Sequence, residues 1–450
     1  MIEYLTSMTE FEVGILWTII LLLMVFAGVR VFIAAAIVGL FGTVHIIGWK
    51  AGAALIGTVP HSKSVNYALS VLPMFILIGF VAYHAGLTHS LFRAARNWFG
   101  WVPGGLAVAS VFATAGFAAV SGASTATAAV FSRVAIPHML ENGYSPRLAA
   151  GVVAAGGTLA SLIPPSAILV IYAIIVEESV GRLIVAGFLP GVVSALIYAG
   201  LIIGQCAWKP ELGPSIKSPP MKERLASIPG TFPIFFVVGV IFSAMYTGWA
   251  TPTEAGALGA FVVFIVAIYH GMRWEGLQEA LLETAKLTVM IFALIWGVLT
   301  FVRFLGYSGL PEEFSLFIIG LSDTFSPVVI IIFILLGYAV LGMFMDAIGM
   351  LLLTLPVVYP AVMELNAASG GALGYDAIWF GIIVVKMCEV CLITPPVGLN
   401  CYVVSAVRPD IPLGDVFRGI GPFFAMDALT VGLFIAFPEI ITWLPNQVMG

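Results

Sequence analysis

Twelve apolar segments recur along this 450-residue chain, and most of them are long enough to cross a lipid bilayer. The hydrocarbon core of a bilayer is about 30 Å thick and is spanned by about 20 helical residues. Only 9% of the residues are charged, against roughly 25% in a soluble domain. The pattern predicts an all-α polytopic membrane protein embedded in the bilayer. The segments lie at residues 13–28, 30–48, 68–87, 104–136, 147–177, 184–206, 231–248, 253–271, 284–305, 327–362, 376–407 and 415–437.

The sequence argues against several classes of function. A net charge of −5 without a basic face gives no reason to expect a nucleic-acid partner. Cys388 and Cys391 lie inside an apolar segment with one other cysteine nearby, which does not fit a zinc site. No glycine-rich loop followed by lysine is present to bind ATP phosphates. We therefore expect no enzyme and no cofactor, and energy supplied by an ion gradient or by another subunit.

The chain contains an internal repeat. Twenty residues separate Tyr144 from Pro164, and twenty separate Tyr375 from Pro395. Four short motifs of the first half recur in the same order in the second half. Those of the first half are Pro137, Gly143-Tyr144, Ile163-Pro164-Pro165 and Gly187. Their counterparts are Pro360, Gly374-Tyr375, Thr394-Pro395-Pro396 and Gly419. The predicted parts are a first repeat at 1–208, a cytoplasmic linker at 209–230 and a second repeat at 231–450.

Each repeat holds one long apolar segment with a polar tip at its middle. The tips are 121–125 within 104–136, and 342–346 within 327–362. We expect both segments to be re-entrant helical hairpins. Each repeat then crosses the membrane five times, so the second is inverted relative to the first. An external N-terminus puts twelve basic residues on the cytoplasmic side and three outside, which favours periplasmic positions for both termini.

Each repeat also holds a helix that is broken at its middle. Segment 147–177 is interrupted at Pro164, Pro165 and Ser166, and segment 376–407 is interrupted at Thr394 and Pro395. A helix that stops at mid-membrane leaves free carbonyls at one end and free amides at the next, which can bind Na⁺ and a carboxylate. Paired broken helices in inverted repeats are typical of secondary transporters. The pattern predicts a substrate and ion site at these breaks.

Hydroxyl side chains at the first tip are candidate Na⁺ ligands. Ser121, Ser124, Thr125 and Thr127 supply neutral oxygen in a stretch without charge from residue 104 to 132. The alternative is that these small residues only allow close helix packing.

Four charged residues inside apolar segments are candidates for function. Asp346, at the second tip, could bind a cation, carry a proton or accept backbone amides. Arg303 could reach the membrane surface or pair with a substrate carboxylate. Lys386 and Glu389 lie one helical turn apart and should neutralise each other, with a role in gating as the second interpretation.

Three further stretches have local interpretations. Residues 89–101 and 274–286 are amphipathic and could be helices along the membrane surface or ordinary loops. Thr251 and Glu254 fit a helix-capping box. Asn400, just after the second break, is a candidate amide ligand.

At these motifs the chain resembles the DctM-like large membrane subunit of the tripartite ATP-independent periplasmic (TRAP) transporters. The matching stretches are SGAST at 121–125, GTLASLIPPS at 157–166, AGFLPG at 186–191, TPTEA at 251–255, GMFMD at 342–346 and TPPVGLN at 394–400. Ala123 stands where the family usually has another serine, which removes one side-chain ligand and leaves the backbone ligands.

The resemblance implies an elevator carrier of the bacterial inner membrane that couples Na⁺ to the uptake of an organic acid. It also implies two partners, a small four-helix membrane subunit and a soluble periplasmic substrate-binding protein. The ion ligands that it implies are Ser121, Gly122, Ser124, Gly157, Thr158, Pro164, Gly342, Asp346, Thr394, Gly398 and Asn400. The alternatives are a stand-alone dicarboxylate carrier coupled to Na⁺ or H⁺, and a passive channel or scaffold.

Overall fold

Helices form the secondary structure of the described chain. The computed structural model describes residues 8–64, 67–217, 219–369, 371 and 373–449, and within them no strand occurs. The helices before the linker are α1 Glu10–Phe26, α2 Val31–Ile47, α3 Trp49–Gly57, α4 Val59–Ser64, α5 Val71–His84, α6 Leu87–Phe99, α7 Gly105–Ser121, α8 Ser124–Glu141, α9 Pro146–Thr158, α10 Ala167–Ile175 and α11 Val180–Trp208. The remaining helices are α12 Met221–Ser227, α13 Phe232–Tyr246, α14 Pro252–Tyr269, α15 Trp274–Ser308, α16 Leu310–Leu321, α17 Pro327–Gly342, α18 Ala347–Ala368, α19 Ala377–Ile393, α20 Leu399–Val407, α21 Leu413–Ala436 and α22 Glu439–Met449.

Length and apolarity mark several of these helices as membrane-spanning. Among the described residues, five helices, which are α11, α14, α15, α18 and α21, are long and apolar enough to span alone. Two bent pairs, α5 with α6 and α12 with α13, raise the number to seven if each pair is one span. The all-α polytopic class predicted from the sequence is confirmed.

The first predicted hairpin is present as α7 and α8. Ser110 Oγ of α7 lies 3.9 Å from Met139 Sδ of α8, and the rings of Phe117 and Phe131 are 6.0 Å apart. Residues on either side of the tip therefore meet in pairs, as in two antiparallel helices. The turn falls at residues 122–123, inside the predicted tip.

The second predicted hairpin is present as α17 and α18. Thr354 of α18 donates its hydroxyl to the Tyr338 hydroxyl of α17 at 2.7 Å. The turn falls at residues 343–346, and Asp346 is the N-cap of α18. Both hairpin tips therefore lie where polar residues interrupt the apolar segments.

The two broken helices form as predicted. In the first, α9 continues through a short 3₁₀ turn at Leu159–Ser161, and α10 begins after Ser166. In the second, α19 ends at Ile393 and α20 begins at Leu399. The Pro164-Pro165 and Pro395-Pro396 peptide bonds are both cis.

Helices of the two repeats pack crosswise. The broken helix α9 packs on α21, and its counterpart α19 packs on α11. In the same way α2 packs on α15, and α5 packs on α14. Gly151 and Gly419 allow the backbones of α9 and α21 to touch, because a Cβ on either would overlap a carbonyl of the other helix.

The two amphipathic stretches behave differently. Residues 87–99 form α6, a separate helix bent by 71° from α5. Residues 274–286 are instead the first turns of α15, a continuous helix of 35 residues. No proline lies between 274 and 308 to end the helix earlier. The predicted capping box is confirmed, since Thr251 and Glu254 bond each other's backbone at the start of α14.

Candidate functional site

The tip of the first hairpin covers the first break. Gly122 adopts a φ of +56°, and a Cβ there would lie 2.6 Å from the Pro165 carbonyl oxygen. Only glycine fits both the left-handed backbone and this close approach. Pro164 and Pro165 are buried beneath the tip.

The hydroxyls at this tip bond to one another. Ser121 Oγ lies 2.8 Å from Thr127 Oγ1, and Ser124 Oγ lies 2.5 Å from Ser161 Oγ. Each hydroxyl has two acceptor lone pairs and keeps acceptor capacity after donating one hydrogen bond. These side chains are buried and neutral, which fits a partly dehydrated monovalent cation. Thr125 is half-buried on α8.

The end of α9 completes this first half-site, defined by residues 121–127 and 157–166. A Cβ on Gly157 would lie 3.1 Å from the Ser124 carbonyl oxygen, so the residue allows the two helices to approach. Thr158 donates its hydroxyl to the Ala155 carbonyl at 2.7 Å. Ser166 donates to the Ser161 carbonyl and caps α10 through the Leu169 amide.

The second hairpin tip meets α19 before the second break. A Cβ on Gly342 would overlap Cys391 of α19, and Cys388 donates to the Ala347 carbonyl at 3.4 Å. Asp346 accepts the Gly349 amide at 2.9 Å and so caps α18. Of its three predicted roles, acceptance of backbone amides is present in the structure.

The second half-site comprises residues 342–350 and 391–400, and it is more open than the first. Thr394 is buried and donates to the Val390 carbonyl at 2.6 Å. Pro395 is exposed at the break, and Gly398 adopts a φ of +47° before α20. The second hairpin therefore does not cover its break as the first one does.

Asn400 joins the two broken helices. Its Nδ2 donates to the Ala154 carbonyl of α9 at 3.2 Å, while its side chain is fully buried. Its Oδ1 is buried with no hydrogen-bond partner among the described residues. The amide thus lies between the repeats, with one acceptor atom still free to bind.

A cavity of about 140 Å³ adjoins the first tip. It lies between α5 and the first hairpin, where a Cβ on Gly79 would lie 2.7 Å from Ser121 Cα. Its polar lining includes Ser121, Tyr83, Arg133 and Glu283. Arg133 Nη1 lies 3.4 Å from the Tyr83 hydroxyl. The cavity therefore places one basic and one acidic side chain beside the hydroxyl cluster, and Arg133 supplies a planar donor group that can bind a carboxylate.

The sequence prediction named Arg303 as a possible partner for a carboxylate, and the structure places that residue elsewhere. Arg303 lies on α15 and does not line the cavity, whereas Arg133 does; both residues are exposed. Arg133 lines the cavity but is not among the predicted site residues, because it falls at the polar end of an apolar segment, where a basic residue is ordinary. A cleft of about 880 Å³ between α17, α19 and α21 is larger but is lined almost wholly by apolar side chains. That cleft does not suit an anion.

The predicted ion pair of Lys386 with Glu389 is present, and Lys386 also pairs with a second carboxylate that was not predicted. Lys386 Nζ lies 2.9 Å from Glu389 and 2.8 Å from Asp427 of α21. Asp427 also accepts the Tyr198 hydroxyl of α11. A signal for Asp427 existed, since it is the only charged residue between 419 and 437.

Comparison with known proteins identifies the family. Residues 15–440 match the family described as "Tripartite ATP-independent periplasmic transporter, DctM component". The C4-dicarboxylate TRAP transporter large permease protein DctM of Pseudomonas aeruginosa is 34% identical over 387 residues, covering 85% of this chain and 87% of that protein. The sialic acid TRAP transporter large permease protein SiaM of Vibrio cholerae is 28% identical, covering 86% and 88%.

A solved structure agrees on the fold. The crystal structure of the Alcanivorax borkumensis YdaH transporter, described as having an unusual topology, superposes with a TM-score of 0.58 at 15% identity. The match covers 87% of this chain and 89% of that one. The family match and these relatives together show that this chain belongs to the DctM component family of the tripartite ATP-independent periplasmic transporters, as their large membrane permease.

Proposed function

We propose that this chain carries an organic acid across the bacterial inner membrane by an elevator motion, with Na⁺ as the coupling ion. Its partners in this proposal are a small four-helix membrane subunit and a soluble periplasmic protein that delivers the substrate. Both termini lie in the periplasm. The observation that carries the proposal is that each hairpin tip packs on a broken helix, as Gly122 does on Pro165 and Gly342 on Cys391.

The Na⁺ part of the proposal is supported by the chemistry of the first half-site. Its buried oxygens are hydroxyls and carbonyls without charge, held within hydrogen-bond distance of one another. Such neutral oxygen ligands at unwound backbone suit a monovalent cation. The residues that would contact the ion are Ser121, Gly122, Ser124, Thr125, Gly157, Thr158, Pro164, Pro165 and Ser166, with Gly342, Asp346, Thr394, Pro395, Gly398 and Asn400 in the second half-site.

The substrate class is supported by the cavity beside the first tip. Arg133 gives that cavity a planar donor group suited to a carboxylate. The names of the relatives include C4-dicarboxylate and sialic acid, which share a carboxylate group. We therefore propose Arg133, in preference to Arg303, as the partner of the substrate carboxylate.

The test is uptake into proteoliposomes that hold the chain with its small subunit, with the binding protein and substrate outside. Labelled C4-dicarboxylate and sialic acid are offered separately under an inward Na⁺ gradient. We expect uptake that requires both Na⁺ and the binding protein. Arg133→Gln should raise the substrate concentration for half-maximal uptake at least tenfold, while Arg93→Gln on the exposed face of α6 should not.

Two outcomes would favour the alternatives. Uptake by the chain without binding protein and small subunit would indicate a stand-alone carrier. Uptake that is unchanged after removal of both Na⁺ and the membrane potential would indicate a passive channel.

The orientation has its own test. Lys217→Cys in the linker and Asp323→Cys before α17 place single thiols on exposed loops. The four native cysteines are buried and should not compete for reagent. We expect a membrane-impermeant maleimide to label position 323 from the periplasm and position 217 only after the membrane is opened. The reverse pattern would contradict the proposed topology.

A further inference from the structure

Four ionisable side chains form a buried cluster between α11, α19 and α21. Lys386 Nζ contacts Glu389 Oε2 at 2.9 Å and Asp427 Oδ1 at 2.8 Å. Tyr198 donates its hydroxyl to the same Asp427 oxygen at 2.6 Å, and its ring centre lies 5.5 Å from Lys386 Nζ. The side chains of Lys386, Glu389 and Asp427 are 0% exposed. We call these four residues the Lys386 cluster.

The charges of the Lys386 cluster do not balance. One ammonium faces two carboxylates, which leaves a charge of −1 if all three are ionised. Among the described residues, Lys386 is the only cation that forms an ion pair with either carboxylate. An uncompensated charge buried in this way is strongly destabilising. A buried group in this position usually gains a proton instead of staying charged.

The neighbours of α19 do not supply the missing positive charge. Cys388 and Cys391 lie on the opposite face, since a helix turns about 100° per residue, and they donate to the carbonyls of Ala347 and Tyr338. Asp346, the ionisable residue at that hairpin tip, adds negative charge. The balance must therefore be reached within the Lys386 cluster.

We propose that the Lys386 cluster is a proton-binding site and that Glu389 carries the proton. Asp427 receives two hydrogen bonds, one from an ammonium and one from a hydroxyl, and such bonds favour an ionised carboxylate. Glu389 receives a single one, from Lys386. One oxygen of each carboxylate, Glu389 Oε1 and Asp427 Oδ2, is buried without a partner among the described residues. Asp427 Oδ1 accepts hydrogen bonds from two groups, whereas Glu389 Oε2 accepts one. The ionised form is therefore better stabilised on Asp427, and the proton resides on Glu389.

The proton lies where the repeats join. Tyr198 comes from the first repeat, and the other three residues come from the second. Loss of the proton would leave a buried negative charge between α19 and its packing partners. We therefore expect alkaline pH to loosen this junction, and neutralisation of Glu389 to protect it.

Infrared difference spectroscopy of the purified complex tests the site without any transport measurement. The wild type should show the carbonyl stretch of a protonated carboxylic acid, and Glu389→Gln should lose it. Asp427→Asn should lose it as well, because one ammonium then balances one carboxylate. Asp346→Asn is the control that should retain it. The loss is read from the spectrum of the wild type minus that of each variant, and the absence of this difference band for Glu389→Gln or for Asp427→Asn would overturn the proposal.

A second readout follows the consequence of protonation. The melting temperature of the wild type should fall as pH rises from about 4.3, the ordinary pKa of glutamic acid, to the pH at which Glu389 ionises, because over that range the folded state holds a proton that the unfolded state has released. Glu389→Gln should lack this part of the fall, since its amide cannot lose a proton. If Na⁺ neutralised the cluster instead, the infrared band would be absent in Na⁺ buffer and would appear after Na⁺ is removed, which would also overturn the proposal. Neither readout uses uptake, so a failure here is distinguishable from a failure of Na⁺-coupled transport.

Discussion

The contact between the first hairpin tip and the first break can be tested with one methyl group. Gly122→Ala places a Cβ at 2.6 Å from the Pro165 carbonyl oxygen, on a backbone with a φ of +56°. The left-handed backbone costs an alanine about 1–2 kcal/mol. Crowding against a fixed carbonyl adds about 1–3 kcal/mol, the usual range for an overpacked site. Gly122→Ala should therefore shift the equilibrium towards conformations in which the first hairpin tip no longer contacts Pro165.

Gly86→Ala separates the two contributions. Gly86 has a φ of +74°, but no heavy atom lies within 4 Å of its added Cβ. Both variants carry the backbone strain, and only Gly122→Ala carries the contact. The difference of about 1–3 kcal/mol corresponds to roughly a 5- to 150-fold change in the ratio of closed to open tip.

The assay is the initial rate of Na⁺-driven uptake, measured at equal amounts of inserted protein. We expect Gly122→Ala to be slower than Gly86→Ala by at least about fivefold. Equal rates in the two variants would show that closure of the tip on Pro165 has no part in transport.

Three further predictions concern the same framework. Gly419→Ala should lower the melting temperature, because its Cβ would overlap a carbonyl of α9, whereas Gly432→Ala, with open space around it, should not; equal melting temperatures would contradict the close approach of the helices. Ser124→Ala should raise the Na⁺ concentration for half-maximal uptake several-fold, and an unchanged value would remove this hydroxyl from the ion site. Val397→Cys at the exposed second break should react with a small thiol reagent faster than Ile163→Cys at the buried first break; equal rates would contradict the asymmetry of the two breaks.

The sequence predicted the features that a short stretch of chain encodes. Polar residues inside apolar segments located the hairpin tips at 121–125 and 342–346, and Pro164 and Pro395 located the helix breaks. The residues of each hairpin and each break are near neighbours in the sequence, so local pattern was sufficient. The helix α15 was misjudged, because an amphipathic start and an apolar continuation can share one helix when no breaker separates them. No segment was predicted for the helices α3, α4, α16 and α22.

The sequence did not predict the contacts that join distant helices. Lys386 and Glu389 were paired correctly, since they are three residues apart on one helix. Asp427 and Tyr198 come from other helices, each lying in a long apolar segment without a pattern to relate them. The rule that marked Asp346, that a lone carboxylate in an apolar segment has a function, would have marked Asp427 as well. It could not have named the partner.

These long-range contacts decide which parts of the chain can move together. Asn400 bonds α20 to α9, the Lys386 cluster bonds α19 and α21 to α11, and Gly419 holds α21 against α9. Separating any of these helix pairs would leave a buried polar group without its hydrogen-bond partner, or would break a tightly packed backbone contact. The unit formed by these helices also approaches α5 closely, since a Cβ on Gly79 would lie 2.7 Å from Ser121 Cα, but this contact borders a cavity and has no hydrogen bond between those two residues among the described contacts. Under the proposed elevator motion, we therefore expect the two broken helices to travel as one body and to slide past α5, which lines the proposed substrate cavity.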